Sequence, residues 1–213
     1  MHRTVRCLAV FAAVSAPLHA AELVATVRSA QGAPAPDAVV VAIPLEGAAK
    51  APPKPPRTEV QQVDFEFVPR VKAVRVGTAV DFPNRDKASH HVYSFSAPKR
   101  FELPLYTGTP LAPVVFDRPG VVVLGCNIHD WMIGYLYVAE SPYFALTGTD
   151  GVARIAGLPA GSYRLQVWHP LLEGGEESTR RQVSVGASDT SQQSWQVALR
   201  PEVKIPRTRR PVK

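Results

Sequence analysis

The chain has 213 residues, 46% hydrophobic and 20% charged, which is enough for one or two real cores and excludes wholesale disorder. Its 14 Gly and 21 Pro are hard to fit into long helices and favour an all-β protein. The net charge of +6 is not a folded basic face. Arg3 and Arg6 stand in residues 1–20 without an acid, six Lys and Arg face one Glu in residues 200–213, and the residues between sum to −1, which argues against a nucleic-acid-binding protein.

In chain order, residues 1–20 read as an export signal. Arg3 and Arg6 precede a short apolar run, Cys7 to Ala16, and Pro17 and the small Ala20 and Ala21 mark the cut. The run is too short to anchor in a bilayer, and no later segment is apolar enough to span one. Residues 22–44 hold two strand patterns, Leu23–Arg28 and Ala38–Ile43, around a turn-rich AQGAPAPD. Residues 45–58 form a Pro- and Ala-rich linker. Residues 59–139 carry strand patterns at Val71–Val76, Thr78–Phe82, His91–Phe95, Gly120–Leu124 and Gly134–Val138. Residues 140–200 start a second series at Val152–Ile155, Tyr163–Trp168, Gln182–Val185 and Ser194–Leu199, with turns at TGTDG and LPAG. Residues 201–213 are a basic tail, read as a solvated terminus, with a tether to anionic lipid or an acidic partner as the other reading. No amphipathic helix longer than two turns stands out, and the two series predict two small β-sandwiches.

Export changes the cysteine arithmetic. Cys7 leaves with the signal, so Cys126 is a lone thiol in an oxidising compartment, a liability unless something occupies it. Around it the chain reads GVVVLGCNIHDWMIGYLYV, which sets Cys126, His129 and Met132 at C-x2-H-x2-M on one loop between two strands. Upstream, VDFPNRDKASHHV offers His90 and His91, one of which can reach the same loop from a neighbouring strand. One thiolate, two imidazoles and a thioether form a soft, mixed donor set that suits copper. Structural zinc prefers four strong Cys or His ligands, and calcium and magnesium prefer oxygen.

From about Phe65 to Val138 the chain resembles the cupredoxin family: plastocyanin, pseudoazurin and, most closely, amicyanin, whose short C-x2-H-x2-M loop is similar. Aligning VDFPNRDKASHHV on Asn84 assigns the first ligand to His90, so the resemblance implies one type 1 copper ion held by His90, Cys126, His129 and Met132 in a Greek-key sandwich. The combination is similar to the methylamine-utilisation-type group. His91 stands where amicyanin-like proteins have Asn, and Asn127 is positioned in sequence to bond it; Asp130 stands where Pro is frequent. The segment TGTDGVARIAGLPAGSYRLQVWHP, with LVATVRSAQGAPAPDAVVVAIP, resembles the carboxypeptidase-regulatory-like fold, a transthyretin-like sandwich. If these two fragments belong together, the cupredoxin is inserted into that sandwich.

The implied function is an exported, periplasmic, mononuclear copper protein carrying single electrons. Its transient partner would be a cytochrome or periplasmic dehydrogenase docking near His129 through an apolar patch with Ile128, Trp131 and Ile133. The alternative is a copper-holding or delivery protein without redox turnover. An enzyme is not expected: the chain has no H-x-H pair and no nucleophilic triad or paired-carboxylate signature. His169, in a Trp-His-Pro, reads as packing and turn chemistry, and the protein is expected to be a monomer without nucleic acid or a membrane span.

Overall fold

The structure, a computed structural model, describes residues 21–47, 56–203 and 205–207. The export signal over residues 1–20, much of the Pro-rich linker and the last six residues of the tail lie outside the described residues. The described residues are all-β apart from one short 3-10 turn, Glu176–Thr179. In chain order the strands are β1 (Ala21–Ser29), β2 (Val39–Pro44), β3 (Arg57–Glu59), β4 (Gln61–Val63), β5 (Glu66–Val68), β6 (Val71–Arg75), β7 (Thr78–Asp81) and β8 (His90–Ser94). They continue as β9 (Phe101–Tyr106), β10 (Val114–Phe116), β11 (Gly120–Gly125), β12 (Ile133–Ala139), β13 (Tyr143–Leu146), β14 (Val152–Leu158), β15 (Gly161–Trp168), β16 (Arg181–Val185) and β17 (Thr190–Val197).

Two sheet pairs organise these strands, apart from β4 and β5, which form a separate antiparallel hairpin. One consists of β14-β1-β17 and β13-β2-β15-β16, so the first two strands share sheets with the last five. β1 alternates buried and half-buried residues, sending Leu23, Ala25 and Val27 inward against Ile155, Leu165 and Trp195. Beside it, the tight turn from β13 into β14 requires Gly151, at φ 76, because a Cβ there would meet the Val27 carbonyl at 2.5 Å. The other pair consists of β10-β7-β3 and β6-β12-β11-β8-β9, with Val80, Phe82, Phe116, Val122, Leu124 and Leu136 in the core between.

Three strands are buried on both faces and join the pairs. β2 sends Val40 and Ala42 into its own core, and Val39 and Val41 into a third cluster with Val71, Tyr137, Ala139 and Trp168. β12 does the same with Leu136 and Val138 on one face and Tyr137 and Ala139 on the other. β15 presents Leu165 and Val167 inward and Trp168 to the junction. This explains the apolar runs of β2 and β12, which a one-sided strand would not have.

Some elements differ from the sequence reading. The linker expected to reach residue 58 already pairs from Arg57, where β3 runs parallel to β7 and the Arg57 guanidinium forks onto Asp81 at 2.7 and 2.9 Å. β9 was not expected, because Pro104 interrupts it; the strand lies at a sheet edge, where a missing N–H costs no ladder bond. β8 begins at His90 rather than His91.

Candidate metal centre

The end of the second sandwich gathers the sulfur and nitrogen donors. β11 and β12 form an antiparallel hairpin, and Cys126 to Met132 is the loop between them. β8 lies beside β11, with Tyr93 opposite Gly125. Gly125 allows a close approach: a Cβ there would stand 2.8 Å from the tip of the Tyr93 ring. That close approach brings the start of β8 next to Cys126.

Strand alternation then decides between the two histidines. His90, Val92 and Ser94 point inward, and His91 and Tyr93 point to the opposite face, where their rings lie 5.6 Å apart. His90 is fully buried, and its Nδ1 is 3.1 Å from His129 Nδ1. Cys126 Sγ is 3.6 Å from the same His129 nitrogen. The ligand atoms of His90, Cys126 and His129 all lie within 4.8 Å of one another. Two nitrogens and a sulfur each about 2.0–2.3 Å from one ion, at bond angles of roughly 100–115°, would stand about 3.1 and about 3.5 Å apart. The donors therefore fit a single soft ion. Met132 is buried in the same cluster as Cys126, and its N–H bonds the His129 carbonyl at 2.9 Å.

Hydrogen bonds prepare the sulfur. Burial works against ionisation of the Cys126 thiol, but His90 and the backbone N–H groups of His91 and Ile128 outweigh it and bring the thiol below its ordinary range. Burial likewise opposes a proton on His90, yet Cys126 and Asp86 hold its pKa above the usual histidine value. His129 goes the other way, lowered by burial and by neighbouring His90. Two ring nitrogens that face each other favour one unprotonated partner.

Two residues that the sequence did not single out complete the site. Asp86 accepts from His90 Nε2 at 2.7 Å, which turns His90 Nδ1 toward Cys126 and His129. The same carboxylate accepts the N–H groups of Asp64 and Phe65 at 2.8 and 2.9 Å. Burial raises its pKa, but these three donors prevail and hold it below the ordinary carboxylate range. Asp64 and Phe65 form the β4–β5 turn, both in the left-handed region at φ 52 and 62. This turn sets the Phe65 ring edge-on to His90 at 5.4 Å and to His129 at 5.0 Å. Asp86 lies four residues before His90 in the recognised loop; Phe65 carries no local signal, because its contact is made across the fold.

The remaining expectations resolve as follows. Asn84 braces the loop, donating to the Ala88 and Tyr106 carbonyls at 2.8 and 2.9 Å and accepting from Asp86 N–H. Asn127 is exposed and does not meet His91. Because His91 faces outward, its Nε2 instead comes to 2.9 Å of Glu102 Oε1, an approach too bent to count as a directed hydrogen bond. Trp131 packs on His129 with centroids 5.1 Å apart. His129 is half-buried and Ile128 is 48% exposed, so the open apolar residue of the loop is Ile128 rather than Trp131 or Ile133, with Asn127 and Asp130 exposed on either side. His169 stands apart from the cluster and closes a turn by accepting the Leu171 N–H at 3.1 Å.

No family model matches the chain. No curated protein matches it either. Among solved structures it is similar to a Cu-containing nitrite reductase (NirK) from Thermus scotoductus SA-01, with 31% identity over 46% of this chain and a TM-score of 0.37; the chain spans 25% of that protein. It is also similar to a purple cupredoxin from Nitrosopumilus maritimus, with 22% identity over 38% of this chain and 99% of that one and a TM-score of 0.34. A reduced mutant of amicyanin is matched at 20% identity over 48% of this chain and 99% of that one, with a TM-score of 0.35.

Proposed function

We propose that the chain is a mononuclear copper protein that carries single electrons between redox partners, exported by residues 1–20 and acting in the periplasm. The observation that carries this reading is the convergence of His90 Nδ1, His129 Nδ1 and Cys126 Sγ within 4.8 Å in a buried sandwich end, beside buried Met132. Three strong soft donors in one plane with a weak thioether suit copper, and a thioether is a poor zinc donor. Bound copper would supply a one-electron couple.

The chain's own residues supply the rest. Asp86 fixes the tautomer and tilt of His90. The His91 and Ile128 N–H groups stabilise negative charge on Cys126. Phe65 and Trp131 cover the imidazoles and exclude water from the donors. His129, half-buried between them, presents a ring edge toward the surface, where Phe65 and Ile128 offer apolar contact to a transient partner. Ligand positions held in advance change little between oxidation states, which favours rapid transfer.

Absorption, paramagnetic resonance and voltammetry of the copper-loaded protein test the reading. An intense thiolate-to-Cu(II) band with a reversible wave supports transfer. A colourless protein that holds only Cu(I) supports the alternative, a copper-holding or delivery role. Cys126→Ser is expected to abolish the colour and most copper affinity, and His90→Ala to do likewise, whereas His91→Ala keeps the colour and shifts the potential. A copper-saturated His90→Ala protein with an unchanged spectrum overturns the ligand assignment.

A further inference from the structure

Away from the metal cluster, His169 holds three parts of the molecule together. It follows β15 and is only 9% exposed. Its Nδ1 accepts the Leu171 N–H at 3.1 Å, and its carbonyl accepts the Leu172 N–H at 3.0 Å. A backbone amide can only donate, so Nδ1 carries no proton and the neutral ring keeps its proton on Nε2. The turn closed in this way holds the C-terminal segment. Glu173 N–H donates to the Ala198 carbonyl at 2.9 Å, Leu172 bridges Leu199, and Arg200 N–H donates to the Leu171 carbonyl at 2.8 Å. Glu202 then pairs with Arg70, in the turn between β5 and β6 of the metal-centre sandwich, at 2.5 Å. Arg200 to Val203 thereby close one side of a groove of about 710 Å³ that Phe67, Trp131 and Tyr135 line from the other.

We propose that His169 is an acid-released latch: a proton taken up at Nδ1 displaces the Leu171 N–H, opens the 169–172 turn and frees residues 198–203 from the side of the groove. The proposal is independent of the copper reading, because His169 stands apart from the donor cluster. The hydrogen bond makes the device directional. An imidazolium has two donors and no acceptor, so the Leu171 N–H and a protonated Nδ1 cannot face each other. The charged groups around the ring are Asp37 in the β1–β2 loop, Arg70 in the β5–β6 turn and Glu202 in the C-terminal segment. Burial opposes a proton on His169, and it outweighs the Pro36 carbonyl and the carboxylates of Asp37 and Glu202, which favour one; Arg70 acts in the same sense as burial. The pKa of the latched ring therefore lies below the ordinary histidine value, which the ring regains once the turn opens. The closed turn is favoured in full above about pH 6.5 and loses ground as pH falls below it. Because the turn holds Leu199 and Arg200, its opening also removes the support behind the Glu202–Arg70 pair, one of the ties between the two sandwiches.

Nuclear magnetic resonance of the full chain tests the latch. Imidazole nitrogen shifts at neutral pH are expected to show His169 protonated at Nε2 alone. Amide hydrogen exchange then follows the Leu171, Leu172, Glu173 and Arg200 N–H groups, with Val24 and Val122 of the two cores as references. Relative to the references, protection of the four amides is expected to fall about tenfold between about pH 7.5 and about pH 5.5, in step with the titration of the His169 ring. His169→Asn offers Oδ1 in place of Nδ1 and has no proton to gain, so it is expected to keep the four amides protected at both pH values. His169→Ala is expected to leave them unprotected at both. A ring protonated at Nδ1 at neutral pH overturns the latch without recourse to any variant, and so does protection in the native chain that ignores the His169 titration. An equal acid loss in His169→Asn assigns the pH dependence to another group and overturns it as well. Loss of protection at both pH values in His169→Asn, with the references intact, places the hold at Nε2 rather than Nδ1 and has the same consequence.

Discussion

Phe65 is the residue whose backbone is hardest to account for without the site. A bulky L-residue in the left-handed region costs roughly 1–2 kcal/mol, and here a second such residue precedes it. The Asp86 carboxylate offsets that cost by accepting both turn N–H groups while also holding His90. Replacing Asp86 by Ala leaves three donors without their acceptor. It is expected to destabilise the metal-free protein by about 2–4 kcal/mol in urea unfolding, since bonds to a charged group are worth about 1.5–3 kcal/mol each but this side chain is not wholly buried. A loss below about 0.5 kcal/mol, the level of an ordinary surface substitution, counts against the brace. At this scale the sequence alone offers Cys126, His129 and Met132 as candidates, because their spacing is local and their chemistry distinctive; the structure brings the Cys126 and His129 donors together with His90 and buries Met132 beside them. His90 over His91 follows from strand alternation once the strand's inward face is known. Phe65 was not legible, because a turn that pays strain for a contact across the fold leaves no periodic signal.

Among elements, the pairing of β8 with β11 sets the geometry of the centre, and it depends on an absent side chain. A methyl at Gly125 would meet the Tyr93 ring at 2.8 Å and its hydroxyl oxygen at 2.9 Å. Gly125→Ala is expected to cost about 1–3 kcal/mol by overpacking and to alter the thiolate band, because Cys126 is the next residue. Combining it with Tyr93→Ala should recover part of that loss, a coupling read from a double-mutant cycle by thermal unfolding. Additive effects would show that the two strands do not meet as described. β1, which alternates, and β11 and β12, which are apolar throughout, were legible in the sequence. β9 was hidden by Pro104, and β3 to β5 by lengths of three residues, too short to show a period of two.

For the whole molecule, the junction between the sandwiches carries a polar device among its apolar residues. Glu176 accepts from Tyr137 Oη at 2.8 Å and from Gln166 Nε2 at 2.7 Å, tying β12 to the 3-10 turn before β16. Burial lifts the Glu176 pKa above the ordinary carboxyl range, and the Tyr137 bond offsets only part of this. The folded state therefore keeps a proton that the unfolded chain would release. Its contribution to stability is complete below the ordinary glutamate pKa and is lost as pH rises through the folded value. Glu176→Gln keeps an acceptor and removes the titration. It is expected to raise the neutral-pH Tm by roughly 2–4 °C for each kcal/mol recovered and to flatten the weakly acidic part of the Tm–pH curve. An unchanged curve excludes Glu176 as its source. β1 lies parallel to β17 while the strands of the metal-centre sandwich are contiguous in the chain. Among the described strands, the first to be synthesised must wait for the last, with one hydrogen-bonding edge unsatisfied, while the inner sandwich closes from neighbours already present. Loss of the final strand therefore threatens aggregation through β1 before it threatens the metal ligands, and the order of assembly runs from the inside of the gene outward.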